Sequence, residues 1–451
     1  MIIRMSKAAV RYDSFLSMLT SQNNGDVALL YEDSGVKKEI TYGELVKRIY
    51  AFPIKERGTA GIFMDGSLNS LLAVFAYAEK KRQIVLLSPL EDVASLKSKM
   101  KATDVNFLLG PDELRDACKD ALAEKVVQQD GKILFFTSGT TDSNKAVVLS
   151  EASLCSSAYN GASLLPLSSD DILYSCLPWN HVFGFVCSLL WGLSCGAKVA
   201  LGGDIKKVFT DFAFFKPTAV SLVPQIAGFL SSHKLLNPEL KLVLIGAGDC
   251  SDAVLSSIVS QGKRVCFGYG LTETSSGVAL SLGDDPRAMT LCPDVDVSFG
   301  PDGEILLSCA PCLMKGYYKD QASTEKVLHG SLLATGDLGY LDGQGLLHLK
   351  GRKKDIIVLD DGTKIYCPEY EGKLASMLGP DKDFAIALNP RGQIALVFGK
   401  STLREDYSNV VTAFNETLPI SNRISVVLYF PDPLPRTQTG KIKRWAIQKM
   451  I

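Results

Sequence analysis

KILFFTSGTTDSNK, residues 132–145, is the stretch on which the reading of this chain turns. It opens with an apolar run of strand length and passes directly into small hydroxylic residues, a glycine and a lysine. The loop Thr137-Ser138-Gly139-Thr140-Thr141-Asp142-Ser143-Asn144-Lys145 lets backbone amides close around phosphate oxygens, with the Lys145 charge beside them. It is not a nucleotide P-loop. That pattern needs Gly, four residues, Gly, Lys and Ser or Thr, whereas here Asn144 precedes Lys145 and Ala146 follows it. Taken alone, the segment reads as a polar surface turn.

Similar apolar runs recur at KLVLI (241–245) and RVCFGY (264–269), alternating with amphipathic stretches such as DVASLKSKMKA (92–102). That alternation argues for α/β architecture. From about Gly300 the texture changes to short strands with turn signals, PDGEILLSC, GYLDGQGLLHLKGR and IIVLDDGTKIY, which read as hairpins. The 451 residues predict two to three domains at about 150 each. The boundary falls in the charged stretch Lys350 to Asp355, before a tail of about 95 residues.

Apolar residues make up 46% and charged residues 22%, as in an ordinary globular protein. With 48 basic against 49 acidic side chains there is no excess for a phosphate backbone, so nucleic acid is excluded as a main partner. The start, MIIRMSKAAVRYDSFL, breaks its apolar residues with Arg4, Lys7 and Arg11 and reads as a retained N-terminus. Eleven scattered cysteines fit reduced thiols in the cytoplasm. The longest uncharged run, Val182 to Ala197, is too short and too rich in Gly and Ser to span a bilayer, and predicts a buried helix.

Further motifs follow in order: Leu177 to Gly184 (LPWNHVFG), Tyr269-Gly270-Leu271-Thr272-Glu273, Thr335-Gly336-Asp337, Gly351-Arg352-Lys353-Lys354-Asp355, and Pro435-Arg436-Thr437-Gln438-Thr439-Gly440-Lys441-Ile442. Each alone is weak. As an ordered set with the 137–145 loop, they resemble the adenylate-forming superfamily of acyl-CoA synthetases, luciferases and peptide-synthetase adenylation domains, closest to its fatty-acyl and aryl-CoA ligases. The resemblance implies a large N-terminal domain of mixed α/β layers with a β-rich subdomain, residues 1–353. A small mobile α+β C-terminal domain, residues 354–451, would carry a catalytic lysine.

The implied reaction is attack of a carboxylate on the α-phosphate of ATP, giving acyl-AMP and pyrophosphate, followed by displacement of AMP by a thiol, most directly that of coenzyme A. Such a step needs charge neutralised around the phosphates and two anions held in line. By resemblance, Thr137, Ser138, Gly139, Thr140, Thr141 and Lys145 cradle the β and γ phosphates. Thr272 contacts the α-phosphate and Glu273 holds Mg²⁺, for which a carboxylate is a suitable hard-oxygen ligand. Tyr269, beside Gly270, offers a face to adenine, and Asp337 accepts the ribose hydroxyls with Arg352 beside it. Gly246-Ala247-Gly248 approximates a dinucleotide fingerprint, but its third glycine is Ser251, and the resemblance makes it the adenine-contacting turn. Lys441 is the expected catalytic cation, set between carboxylate and α-phosphate by closure about a hinge at Lys354.

His181, Phe183 and Gly184 are expected to line the acyl pocket with the helix after them, and the acid-free stretch 180–186 disfavours an α-amino acid substrate. The extra turn residue before Gly362 is similar to the fatty-acyl branch more than to the aryl ligases. Cys309-Ala-Pro-Cys312 lacks a second pair with zinc spacing, and His233, His329 and His348 carry no case. Lys441, Lys443 and Arg444, taken alone, read as a solvated face. Three residues depart from the family's phosphate loop: Asp142 and Ala146 stand for glycine, Asn144 for proline. Asp142 adds repulsion toward polyphosphate. A non-catalytic adenylate-binding scaffold is therefore the rival reading. A carrier-protein phosphopantetheine is the rival thiol acceptor, and a homodimer is left open.

Overall fold

The strand Arg264–Leu271 hydrogen-bonds in two directions. In the computed structural model, which describes residues 9–137, 145–202, 207–248, 250–359, 361–379, 382–400, 406–436 and 442–451, its first half runs parallel to Leu242–Ile245. Its second half, from Gly268, pairs antiparallel with Ser276–Ser281. A parallel sheet and an antiparallel one thereby join into a single 14-stranded sheet among the described residues.

On the parallel side lie Ala219–Leu222, Ile172–Ser175, Lys198–Leu201 and the first hairpin, Val27–Asp33 with Val36–Thr41. On the antiparallel side lie the hairpins expected from the texture after Gly300, with Leu332–Leu341 paired to both Glu304–Ser308 and Leu347–Arg352. A second sheet of six strands has Val105–Leu109, Thr59–Phe63, Ile84–Leu87 and Ile133–Phe136 in parallel. Ala146–Leu149 and Gly316–Tyr317 then close it antiparallel. Every residue of its central strands is buried, as continuous apolar runs require when both faces are covered.

Between the sheets runs the buried helix expected from residues 182–197. It begins as a wide coil over Phe183–Leu190, where the Trp191 N–H reaches back to the Val186 carbonyl, and tightens over Trp191–Ser194. Side-chain hydroxyls account for the widening. Ser188 Oγ donates to the Gly184 carbonyl at 2.5 Å and Ser221 Oγ to the Cys187 carbonyl at 2.7 Å, in competition with the regular ladder. Phe185 stands at the centre of the core, its ring centroid 5.8 Å from both Phe15 and Phe135. Burying such a side chain contributes about 1.5–3 kcal/mol.

From Ile356 the chain forms a small α+β unit: the hairpin Ile356–Val358 with Lys364–Tyr366, the helix Cys367–Leu378 opened by Pro368, and a sheet of Asp383–Leu388, Ile394–Gly399 and Val426–Tyr429. Its apolar clusters draw only on residues from Ile357 onward, centred on Leu374, Ile386, Leu396 and Phe398. All eleven cysteines are free thiols. No helix among the described residues is long and apolar enough to cross a membrane.

Arg444 departs from the solvated reading of its cluster. It opens the helix Arg444–Met450. Its guanidinium grips both Glu371 carboxylate oxygens at 2.8 Å, Asp355 at 2.9 Å and the Ile386 carbonyl at 3.0 Å. Burial opposes the charge, but Glu371 and Asp355 together outweigh it and raise the pKa further. Arg444→Met should therefore cost about 2–4 kcal/mol by leaving two half-buried carboxylates unpaired. Arg444→Lys should recover less than half of that, since ammonium lacks the planar fork. Denaturant midpoints of the full chain check both.

Candidate active site

Tyr269 lies in the antiparallel half of the shared strand and is buried. Its hydroxyl donates to Asp337 Oδ2 at 2.9 Å, while Arg352 Nε donates to Oδ1 at 2.8 Å. Asp337 and Arg352 are partners in the register of adjacent strands, so the ladder itself sets the ion pair. Gly336, at φ +70°, turns the chain so that Thr335 Oγ1 accepts from the Asp337 N–H at 3.0 Å. At 5% exposure Asp337 is no ordinary turn aspartate: a desolvated carboxylate needs such partners. Burial raises the Tyr269 pKa, and the Asp337 charge adds to it. The phenol stays protonated and donates.

Just beyond, the turn Thr272–Thr274 carries Glu273. Tyr317 donates its hydroxyl to Glu273 Oε1 at 2.7 Å, and the Met314 N–H donates to the Glu273 carbonyl at 2.8 Å. Burial, followed by the Glu273 charge, pushes the Tyr317 phenol up. The Lys145 ammonium sits 4.5 Å from the centroid of the same ring. Glu273 is also close enough for its charge, after that of Asp337, to support Arg352 against burial. Both groups therefore belong to one site. The chain leaves it through Ser275 and Ser276, both at positive φ (+53° and +118°), a costly backbone for residues with a Cβ.

The phosphate-type loop joins two antiparallel strands. Thr137 N–H donates to the Lys145 carbonyl at 3.0 Å and Phe136 pairs with Ala146, which pins both ends. Ser138, Gly139, Thr140, Thr141, Asp142 and Asn144 lie outside the described residues. Ala146 is a buried strand residue that packs with Phe136 and Val148. Lys441 likewise lies outside the described residues, but its segment is bounded by an antiparallel bridge between Arg436 and Ile442. Lys354 sits in the turn Lys353–Asp355, where burial, then the Arg352 charge, lowers its pKa.

Along the Leu177–Gly184 motif, Gly184 answers a close approach. A Cβ there would lie 2.2 Å from the Pro178 carbonyl oxygen. Phe183 lies against the 246–248 turn, its ring edge 2.8 Å from where a Gly246 Cβ would be; Ala247 at φ +64° carries the turn to Gly248. His181 lies near the buried Glu91–Lys99 ion pair, and burial, then the Lys99 charge, lowers its pKa. Gly270 sits across from Gly277 in the ladder, beside a register shift after Tyr269. His348 bonds Asp342 at 2.9 Å and is structural. No group of three or more His, Cys, Asp or Glu able to hold a metal occurs among the described residues, and Cys312 Sγ donates to the Cys309 carbonyl at 3.4 Å.

Tyr317 and Glu304, whose carboxylate accepts from the Gly336 N–H at 2.8 Å, escaped sequence reasoning. Neither stands in a motif; each reaches the site from a strand far from the residue that it holds.

Solved structures share this fold. The structure is similar to O-succinylbenzoate coenzyme A synthetase from Bacillus subtilis in complex with ATP and magnesium ion, with a TM-score of 0.81 at 21% identity, over 98% of this chain and 100% of that one. In sequence it is 28% identical to indoleacetate–CoA ligase of Aromatoleum aromaticum, over 72% of this chain and 68% of the relative. It is 24% identical to the long-chain-fatty-acid–CoA ligase FadD13 of Mycobacterium tuberculosis, over 99% and 92%. The AMP-binding enzyme family matches residues 66–318, more than half of the chain and the part that holds the phosphate-type loop, Tyr269, Glu273 and Tyr317, and the chain belongs to that family.

Proposed function

We propose that this protein is an acid–thiol ligase that activates a carboxylic acid with ATP, releasing pyrophosphate, and passes the acyl group from acyl-AMP to coenzyme A as AMP leaves. The observation that carries the reading is the Tyr269–Asp337–Arg352 cluster beside Glu273, Tyr317 and Lys145 at the end of the shared strand. Relatives whose names describe CoA ligases of aryl and fatty acids support it.

Each residue has a physical task in this reading. Asp337, held by Tyr269 and Arg352, is the acceptor for the ribose hydroxyls. Lys145 and the loop from Thr137 neutralise the outer phosphates, and Thr272 takes the α-phosphate. A carboxylate steadied by a phenol and set near a lysine suits Mg²⁺, which takes one or two protein carboxylates and leaves its other positions to phosphate oxygens and water. When bound, the ion supplies positive charge to the polyphosphate. Lys441 is the cation between the carboxylate and the α-phosphate, carried by residues 354–451 as a unit that closes on residues 1–353 about Lys354. The helix from Phe183 lines the acyl end. Eleven free thiols suit the cytoplasm, where we place the protein.

Pyrophosphate release with MgATP and a panel of fatty, aryl and amino acids, with and without coenzyme A, tests this function. Release that depends on one acid class and rises with coenzyme A is expected. Release indifferent to coenzyme A would favour a carrier-protein thiol, and silence with nucleotide binding intact would favour the scaffold reading. Lys441→Ala should cut adenylation about 10²–10³-fold while leaving thiolysis of supplied acyl-adenylate within a few-fold. Asp337→Asn should weaken AMP binding about 10- to 100-fold in calorimetry, since Arg352 loses its charged partner. Tyr317→Phe should raise the Mg²⁺ concentration for half-maximal pyrophosphate release about 10- to 100-fold, the usual effect of losing a group that orients a metal ligand.

A further inference from the structure

The chain passes from the large unit to the small one in the turn Lys353–Asp355, and the two ends of that turn are held to different bodies. On the large side, Arg352 ends the ladder with Leu332–Leu341, where it pairs with Asp337. Lys353, next in the chain, reaches the hairpin turn that leads into Glu304–Ser308. Its ammonium lies 2.5 Å from Asp302 and 3.2 Å from Glu304 Oε2. On the small side, Asp355 Oδ1 accepts from Arg444 Nε at 2.9 Å, and Ile356 opens the first hairpin by pairing with Tyr366. Lys354 alone separates the two clamps along the chain. Both clamps lead on to the chemistry. Glu304 uses its other oxygen, Oε1, for the Gly336 N–H at 2.8 Å, so the carboxylate that grips Lys353 also fixes the turn that presents Asp337. Arg444 follows shortly after Lys441, and the Lys443 N–H donates to the Pro435 carbonyl at 2.8 Å, joining the ends of the segment to which Lys441 belongs.

We propose that Lys353 and Glu304 are positioning residues: they confine the pivot to Lys354 and thereby set where Lys441 arrives. This rests on the reading of Lys441 as the cation delivered when residues 354–451 close on residues 1–353. Every residue of a turn brings its own soft φ and ψ, so releasing Lys353 from its carboxylates lets the chain swing at a second residue. Angular slack at the pivot becomes displacement at Lys441, and a misplacement of about 1 Å costs about 10²-fold in rate. The Lys353 side chain is 54% exposed, so its ion pairs contribute little to stability and act on geometry instead. Because Glu304 also holds Gly336, the pivot is referenced to the same turn that presents Asp337 to the nucleotide.

Pyrophosphate release by the full chain tests this, with MgATP and whichever of phenylacetate, hexanoate and hexadecanoate gives the fastest release. Lys353→Met should lower kcat about 3- to 30-fold and leave the KM for ATP within about 2-fold, because the contacts at Asp337 are untouched. Lys353→Arg, which can fork onto the same carboxylates, should restore kcat to within about 2-fold. Glu304→Gln keeps an acceptor for the Gly336 N–H but loses the charge. It should lower kcat as well, with little further loss when combined with Lys353→Met, since both changes open one clamp. In a Lys441→Ala background Lys353→Met should be silent, and the melting temperature of Lys353→Met should hold within about 3 °C. A loss that persists at full size in the Lys441→Ala background, a loss that tracks a fall in melting temperature, a rise in KM with kcat unchanged, or unaltered kinetics would overturn the proposal and leave the ligase reading standing. Full activity of Lys441→Ala would overturn the closure reading, and absence of pyrophosphate release with every acid would overturn the ligase reading; either takes this proposal with it.

Discussion

A carboxylate buried to the extent of Asp337 must be neutralised, and the way this is done ties the site to the fold. Arg352 reaches it from the neighbouring strand because the two residues are paired in register, whereas Tyr269 reaches it from a strand that begins in the parallel sheet and ends in the antiparallel one. The ion pair and the phenol can all be in place only if both sheets share Arg264–Leu271. The same strand then delivers Thr272 and Glu273, so the charge balance around Asp337 also locates the carboxylate assigned to Mg²⁺.

The two segments that carry the lysines, 138–144 with Lys145 and 437–441, are bounded in the same way. Each is flanked by an antiparallel pair: Phe136 with Ala146, and Arg436 with Ile442. Backbone pairing holds the ends of both segments. Arg444, directly after the second segment, anchors the last helix to Glu371 and to Asp355, which adjoins the proposed hinge residue Lys354. A basic residue that looked like surface is therefore a structural clasp between the segment holding Lys441 and the end of the Gly351–Asp355 motif.

Much of the architecture was legible along the chain because it rests on local patterns. The runs at 132–136, 241–245 and 264–269 are strands, residues 93–102 form a helix capped by Asp92, and the turn-rich texture after Gly300 is a set of hairpins. The Phe183 helix was legible from its apolar length, but its widened winding was not. That depends on Ser188 and Ser221 hydroxyls meeting helix carbonyls, one of them across the core. In the site, motif residues such as Tyr269, Glu273, Asp337 and Arg352 could be picked out in order. Tyr317 and Glu304 could not, because a tyrosine or glutamate in an ordinary strand carries no mark of the residue that it will meet.

By itself the sequence determined the α/β class, the succession of strands and helices, and the order of chemically able residues, since these depend on periodicity, turn residues and short-range spacing. Tertiary structure decided which of them meet. It placed Tyr317 on Glu273 and turned Arg444 inward. The physical reason is that pairing across a sheet and packing between helices join residues tens to hundreds of positions apart. Whether a polar group is satisfied or left wanting depends on those long-range neighbours, not on the residues beside it in the chain.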